Sequence, residues 1–111
     1  MDPALSPPRS ALLTVDLAGE LTLGTIAEAH AKLRDALDAH PAVSARIDAE
    51  ARVDLSFVQL IESARRSARD AGASFVLAAP AQGALLETLR RGGFVETAEQ
   101  RAFWLEQPGT Q

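Results

Sequence analysis

Apolar and polar residues alternate along two short segments of the chain, residues 11–17 and 43–48. The side chains of a β-strand point alternately to its two faces, so this period predicts two strands that are each buried on one face. The opposite face should be exposed to water, and the residues expected there are Thr14, Asp16, Ser44 and Arg46.

Three other segments repeat apolar residues at the spacing of an α-helix. The first begins at Thr25, which has the spacing of a capping box with Glu28, and stops at Pro41. The second covers residues 56–70 and the third covers residues 81–92. These helices should cover the apolar face of the sheet.

Two apolar runs of strand length, residues 74–79 and 101–106, complete the pattern. Strands that alternate with helices are typical of α/β proteins. We predict a single α/β domain at residues 11–105, with a mixed β-sheet and helices packed mainly on one face. A proline-containing leader at residues 1–10 should be disordered, and residues 106–111 should form a flexible tail.

Composition narrows the class of protein. The 111 residues are 47% hydrophobic and 23% charged, as in a globular protein of one domain. The net charge of −4 lacks the basic face that nucleic acids bind. No apolar run approaches the roughly 20 residues that cross a bilayer, and the first ten residues lack the apolar core of a signal peptide. We therefore expect a cytoplasmic protein without direct membrane insertion.

Motifs for catalysis are scarce. The chain has no cysteine and no glycine-rich loop that opens a helix. Neither His30 nor His40 has a second ligand residue at the sequence spacing that is typical of metal sites. We expect no enzyme activity, no cofactor and no metal. Asp48 and Asp54 could converge at one sheet edge as an acid–base pair. Alternatively, Asp54 stabilises the N-terminus of a helix through the helix dipole.

Ser56 also has two interpretations. Its spacing from Gln59 fits a capping box, in which the hydroxyl accepts a hydrogen bond from a backbone amide of the first helical turn. A phosphate at the same hydroxyl would meet the free N–H groups of a helix N-terminus, so Ser56 is also a candidate phosphorylation site.

The order and spacing of these elements resemble a STAS domain, the fold of anti-sigma-factor antagonists. The resemblance covers about residues 11–105. Residues 15–37 look like the opening strand, Gly-Glu-Leu turn and first helix of that family, and residues 85–94 look like its last conserved helix. Residues 47–80 look like its strand, signature helix and following strand, with Asp54 at the start of the helix.

The resemblance implies a protein–protein interaction module of bacterial signalling whose partner is an anti-sigma or kinase-like regulator. In the family, an Asp-Ser-Ser/Thr-Gly motif carries a phosphorylatable hydroxyl; here Leu55 stands at the acceptor position and Phe57 at the glycine. The usual phosphorylation switch should therefore be missing. Leu55 also suits an alternative role, the small cytoplasmic subunit of a lipid-transport ABC complex, whose partner is a transporter subunit. A nucleotide-binding or enzymatic role is a third hypothesis.

We expect the partner to dock on the connection at residues 48–56 and on the helix that follows it. The candidate binding residues are Asp54, Ser56, Phe57, Gln59 and Arg66. Three arginines, Arg65, Arg66 and Arg69, crowd the outer side of this helix, either as a solvated face or as a contact for an acidic partner.

Phe57 is the residue on which the two lines of reasoning differ. Helical spacing places it with Leu60 and Ile61 on the apolar stripe, which argues for burial. The family resemblance places it at a surface glycine beside the docking face. Because the first turn of a helix is partly solvent-exposed, we expect Phe57 to be partly exposed.

Overall fold

The computed structural model describes residues 12–106. The predicted leader at residues 1–10 lies outside this range, as does the predicted tail apart from its first residue. The strands are β1 (Leu12–Leu17), β2 (Glu20–Leu21), β3 (Ala42–Ile47), β4 (Arg52–Val53) and β5 (Ser74–Leu77). The helices are α1 (Ile26–Ala39), α2 (Leu55–Asp70), α3 (Gly83–Gly92) and α4 (Ala98–Leu105), with a 3-10 turn at Leu23–Thr25 before α1.

The main sheet has the strand order β1-β3-β5, and β2 pairs with β4 in a separate short ladder. The predicted α/β class is confirmed, but the predicted mixed sheet is wrong, because every strand pairing in the described part of the chain is parallel. A helix connects each main strand to the next, and such a crossover returns the chain in the same direction.

One face of this sheet is apolar and carries the helices. The register aligns Val15 with Ala45 and Leu77 on that face, and all three are buried. Each of the four helices contributes buried residues to the same core cluster, so the predicted one-sided packing holds for residues 12–106. The interior of the molecule is the layer between this face and the helices.

The opposite face of the sheet is exposed to solvent. The alternation of apolar and polar residues predicted this exposure correctly for three of four residues. Thr14, Asp16 and Arg46 are exposed, and Arg46 pairs with Asp16 across the strands at 3.1 Å. The expectation for Ser44 is wrong, because only 7% of this residue is exposed. Ser44 lies on the middle strand between Thr14 and Val76, and its side chain is too short to project beyond them.

The segment predicted as a last strand, residues 101–106, is the helix α4 instead. Thr97 caps it: the Thr97 hydroxyl accepts from the Gln100 amide at 3.1 Å, and the Gln100 side chain accepts from the Thr97 amide at 2.9 Å. This reciprocal pair is a capping box. The spacing of Thr97 and Gln100 in the sequence was the available signal for this helix.

A charged network holds α4 against α2. The Trp104 indole N–H, fully buried, donates to Glu62 at 2.8 Å, and the same carboxylate pairs with Arg65 at 2.7 Å. Glu99 of α4 in turn accepts from Arg65 at 3.1 Å and from Arg69 at 3.0 Å. The buried carboxylate is thus satisfied by an indole and a guanidinium.

Phe57 belongs to the core, so the expectation of partial exposure is wrong. None of its surface is exposed. Because α2 begins at Leu55, Phe57 is its third residue and lies on the stripe that continues through the buried Ile61, Ala64 and Ala68. Helical periodicity, and not the position of a family glycine, decides where this ring lies.

The substitution Phe57→Ala should therefore lower the free energy of unfolding by about 3–5 kcal/mol, since it leaves a cavity beneath the first turn of α2. Thermal or urea denaturation, followed by circular dichroism, measures this loss. The exposed Gln59 offers a control in the same helix, because Gln59→Ala should change stability by less than about 0.5 kcal/mol. A Phe57→Ala protein as stable as the control would contradict the core assignment.

Candidate functional site

Asp54 is the N-cap of α2. Its backbone is extended, with φ −135° and ψ −175°, and one oxygen of its carboxylate accepts from the Ser56 amide at 3.0 Å and the Phe57 amide at 3.4 Å. The predicted capping box at Ser56 is therefore wrong, because the helix starts one residue earlier. An ionised carboxylate is a stronger acceptor than a hydroxyl and a negative charge suits this end of the helix.

The second oxygen of the same carboxylate reaches a distant part of the chain. It accepts from the Leu23 amide at 3.0 Å, across 31 positions of sequence. Leu23 opens the 3-10 turn, and the Thr25 hydroxyl stabilises that turn by donating to the Glu20 carbonyl at 2.7 Å. Asp54 thereby ties the entrance of α1 to the entrance of α2.

These hydrogen bonds alter the acidity of Asp54. The Ser56 hydroxyl first, and the Leu23 amide next, hold the pKa of the Asp54 carboxyl below its usual value of 3.8. Partial desolvation opposes this shift without reversing it. The role of the ionised Asp54 carboxylate is therefore structural: it accepts hydrogen bonds from backbone amides.

Ser56 is engaged by the same carboxylate. Its hydroxyl donates to the Asp54 oxygen that also caps the helix, and its side chain is half-buried. A phosphate on Ser56 would carry negative charge into contact with Asp54, and it would remove the proton that this hydrogen bond uses.

Two leucines stand out on the surface beside Asp54. Leu23 is 72% exposed and Leu55 is 45% exposed, and among residues 13–106 no other large hydrophobic residue is exposed. Leu23 donates its amide to Asp54, and Leu55 follows Asp54 in sequence. We call these two leucines, with the Asp54 carboxylate between them, the Asp54 patch.

The end of α3 borders the patch on the side of Leu55. Thr88, Arg91 and Gly92 line a shallow hollow of about 220 Å³ with Leu55. Gly92 is needed there, since a Cβ at this position would lie 2.9 Å from the Phe94 ring and 3.4 Å from the Leu55 side chain. Leu55 thus sits beside a recess and does not lie flat on the surface.

The remaining candidate residues are distributed along the outer side of α2. Gln59 and Arg66 are exposed and lie within about 40° of Leu55 around the helix axis. The Arg66 side chain makes no ion pair or hydrogen bond with any other residue of the described range. Arg65 and Arg69 instead bind Glu99 of α4, so of the three arginines only Arg66 remains free for a partner.

The two aspartates compared in the sequence accept hydrogen bonds from different backbone groups. The Asp48 carboxylate accepts from the Glu50 amide of its own loop at 3.1 Å, whereas Asp54 serves Leu23 and α2. Within residues 12–106, no group of three or more potential ligands among His, Asp and Glu could hold a metal ion.

In the described part of the chain, no helix is both long and apolar enough to span a bilayer. Comparisons of the whole chain with protein-family models, with curated proteins and with solved structures find no match. The geometry around Asp54 is therefore the basis for assigning a function.

Removing the Asp54 carboxylate should weaken the fold in a pH-dependent way. We expect Asp54→Ala to lower the free energy of unfolding by about 1–2 kcal/mol near neutral pH, because the cap and the tether to Leu23 are both lost. The folded pKa lies below the unfolded value, so this stabilisation is complete above about pH 3.8 and is lost as the pH falls through the folded pKa. Urea denaturation at several pH values measures it.

The variant Asp54→Asn is the matched control. Asparagine keeps one oxygen for capping, but its amide group cannot accept from Leu23, so the loss should be smaller than in Asp54→Ala. Glu99, whose pKa is also lowered by its bonds to Arg65 and Arg69, titrates in all three proteins and cancels in the comparison. A stability difference that stays constant from neutral to strongly acidic pH would exclude the ionised cap.

Proposed function

We propose that this chain is a protein–protein interaction module that docks its partner at the Asp54 patch, in the manner of a STAS domain. One observation carries the proposal: the two exposed leucines of residues 13–106 are both held beside Asp54. Apolar surface that is left exposed in a rigid arrangement is typical of an interaction site. The module acts by binding and has no catalytic step.

Rigidity of the patch supports a binding role. Leu23 sits in a turn held by a hydrogen bond to Asp54, and Leu55 is fixed in the first turn of a helix. Groups that are already ordered lose little conformational entropy when a partner binds. Arg66, exposed and unpaired on the same side of α2, adds a charge that favours an acidic partner surface.

The order of strands and helices up to α3 supports the STAS-like assignment, and a regulator of the anti-sigma or kinase-like class is the partner that this assignment implies. The setting would then be the bacterial cytoplasm. The same geometry suits the second role, a small subunit of a lipid-transport ABC complex. The observation that favours it is Leu55, which lies at the acceptor position, has no hydroxyl, and is exposed. Such a surface binds constitutively.

Substituting the two leucines of the patch should weaken docking and leave the fold intact. We expect Leu55→Ser, and more strongly Leu23→Ser/Leu55→Ser, to weaken partner binding by about tenfold or more, since burial of a leucine contributes about 1.5–3 kcal/mol. The test is affinity capture from the native cell, followed by titration calorimetry with the purified partner. The identity of that partner, regulator or transporter subunit, separates the two roles.

The control for this experiment is Val76→Ser, an apolar-to-polar change on the open face of the sheet, which should leave partner binding unchanged. Melting curves of all variants verify the fold. A partner that binds the double leucine variant as tightly as the unchanged protein would refute the Asp54 patch as its docking site.

Phosphorylation should not regulate this surface. Leu55 has no acceptor oxygen, and the Ser56 hydroxyl donates to Asp54 and is half-buried. We expect the intact mass of the protein to be unchanged after incubation with ATP and a serine kinase encoded beside its gene. A stoichiometric gain of one phosphoryl group, lost in Ser56→Ala, would show instead that Ser56 is a switch.

A further inference from the structure

The edge of β1 that does not pair with β3 is a second surface, and it presents backbone N–H and C=O groups. The Leu17 carbonyl accepts from the Asp48 amide at 2.8 Å, on the side of β3. Because backbone groups alternate in direction along a strand, Thr14 and Asp16 direct theirs away from β3. Lys32 marks this outward direction, since its ammonium donates to the Asp16 carbonyl at 2.8 Å.

A long groove runs beside this edge, between β1 and α1. Its volume is about 500 Å³ and it is wide open to solvent. Small residues, Ala36 and Ala39, form its α1 side, while Lys32 and Asp35 stand one helical turn apart on its rim. Leu13, at its β1 side, is only partly buried. The groove leaves open space beside the outward backbone groups of β1.

The opposite edge of the sheet differs. There α4 lies against β5, with the Phe103 and Phe75 ring centroids 5.9 Å apart. No helix or loop of residues 12–106 covers the β1 edge in this way, and the Lys32 side chain reaches only its Asp16 carbonyl. Proteins usually protect an edge strand with a proline, a bulge or a covering element, and β1 contains neither of the first two.

The residues that precede β1 are poorly suited to fill this edge. A tight hairpin would bring Pro7 or Pro8 against β1. Proline has no N–H to donate, so it interrupts a ladder of hydrogen bonds at the position where it falls.

We propose that a second copy of this chain covers the edge, with the two β1 strands paired antiparallel about a twofold axis at Val15. The two three-stranded sheets then form one continuous sheet of six strands. Thr14 exchanges backbone hydrogen bonds with Asp16 of the second copy. Leu13 faces Leu17 of the second copy on the helix side, which completes its burial.

Charge complementarity supports this partner. About the twofold axis the two α1 helices approach each other over the junction. Each Lys32 leaves the Asp16 carbonyl, which then accepts from Thr14 of the second copy, and pairs instead with Asp35 of the second copy. The contact is self-complementary, as twofold symmetry requires. The register also places Asp16 opposite Thr14 and not opposite Asp16, so no like charges are paired across the strands. This surface is separate from the Asp54 patch, and the dimer leaves that patch free.

Sedimentation equilibrium of the full chain from micromolar to millimolar concentration tests the proposal. We expect a reversible monomer–dimer equilibrium, with the dimer at twice the monomer mass of 11.8 kDa. Thr14→Pro removes an outward N–H and should raise the dissociation constant by about tenfold or more. Thr14→Val keeps the N–H and should leave the equilibrium unchanged.

Exchanging the charges of Lys32 and Asp35 provides a second, independent test of the dimer. Lys32→Glu should weaken the dimer, and Lys32→Glu/Asp35→Lys should restore it, whether or not Thr14→Pro folds by circular dichroism. A protein that stays monomeric throughout would overturn the proposal. So would a dimer that is indifferent both to the charge exchange and to a folded Thr14→Pro.

Discussion

The two oxygens of the Asp54 carboxylate hold together the N-terminal ends of α1 and α2. One oxygen starts α2 at Leu55, and the other holds the turn at Leu23 that leads into α1. The short β2–β4 ladder lies just before both points, so the two chain segments enter their helices side by side. Two properties of the Asp54 patch depend on this one group: the placement of the two leucines and the engagement of the Ser56 hydroxyl.

A one-sided parallel sheet imposes a second constraint. All four helices pack on the same apolar face, and the last of them, α4, buries Trp104 there with its indole N–H bonded to Glu62, which also binds Arg65. Ion pairs with Glu62 and Glu99 engage Arg65 and Arg69 and leave Arg66 as the unpaired cation beside Gln59 and the patch. Packing of the C-terminal helix therefore defines which charges of α2 a partner can meet.

Local sequence patterns predicted most of the fold. The alternation around Val15 and the helical spacing in α2 indicate their elements correctly, because each pattern extends over several residues and agrees with burial on one face. The same logic fails for α4, where a short apolar run fits a strand as well as a helix. Only the capping spacing of Thr97 and Gln100 distinguishes the two. The predicted N-cap is wrong for a related reason: Ser56 matches the capping pattern, but Asp54, two residues earlier, caps the helix at the Ser56 and Phe57 amides.

Trp104 has a practical consequence of its own. The chain contains one tryptophan and no tyrosine, and that single indole is fully buried in the contact between α4 and α2. Its intrinsic fluorescence therefore reports whether the last helix is docked. Local opening of α4 would transfer the indole from an apolar, hydrogen-bonded site into water before the rest of the core unfolds. The protein carries its own optical probe for its C-terminal helix, and no label is required.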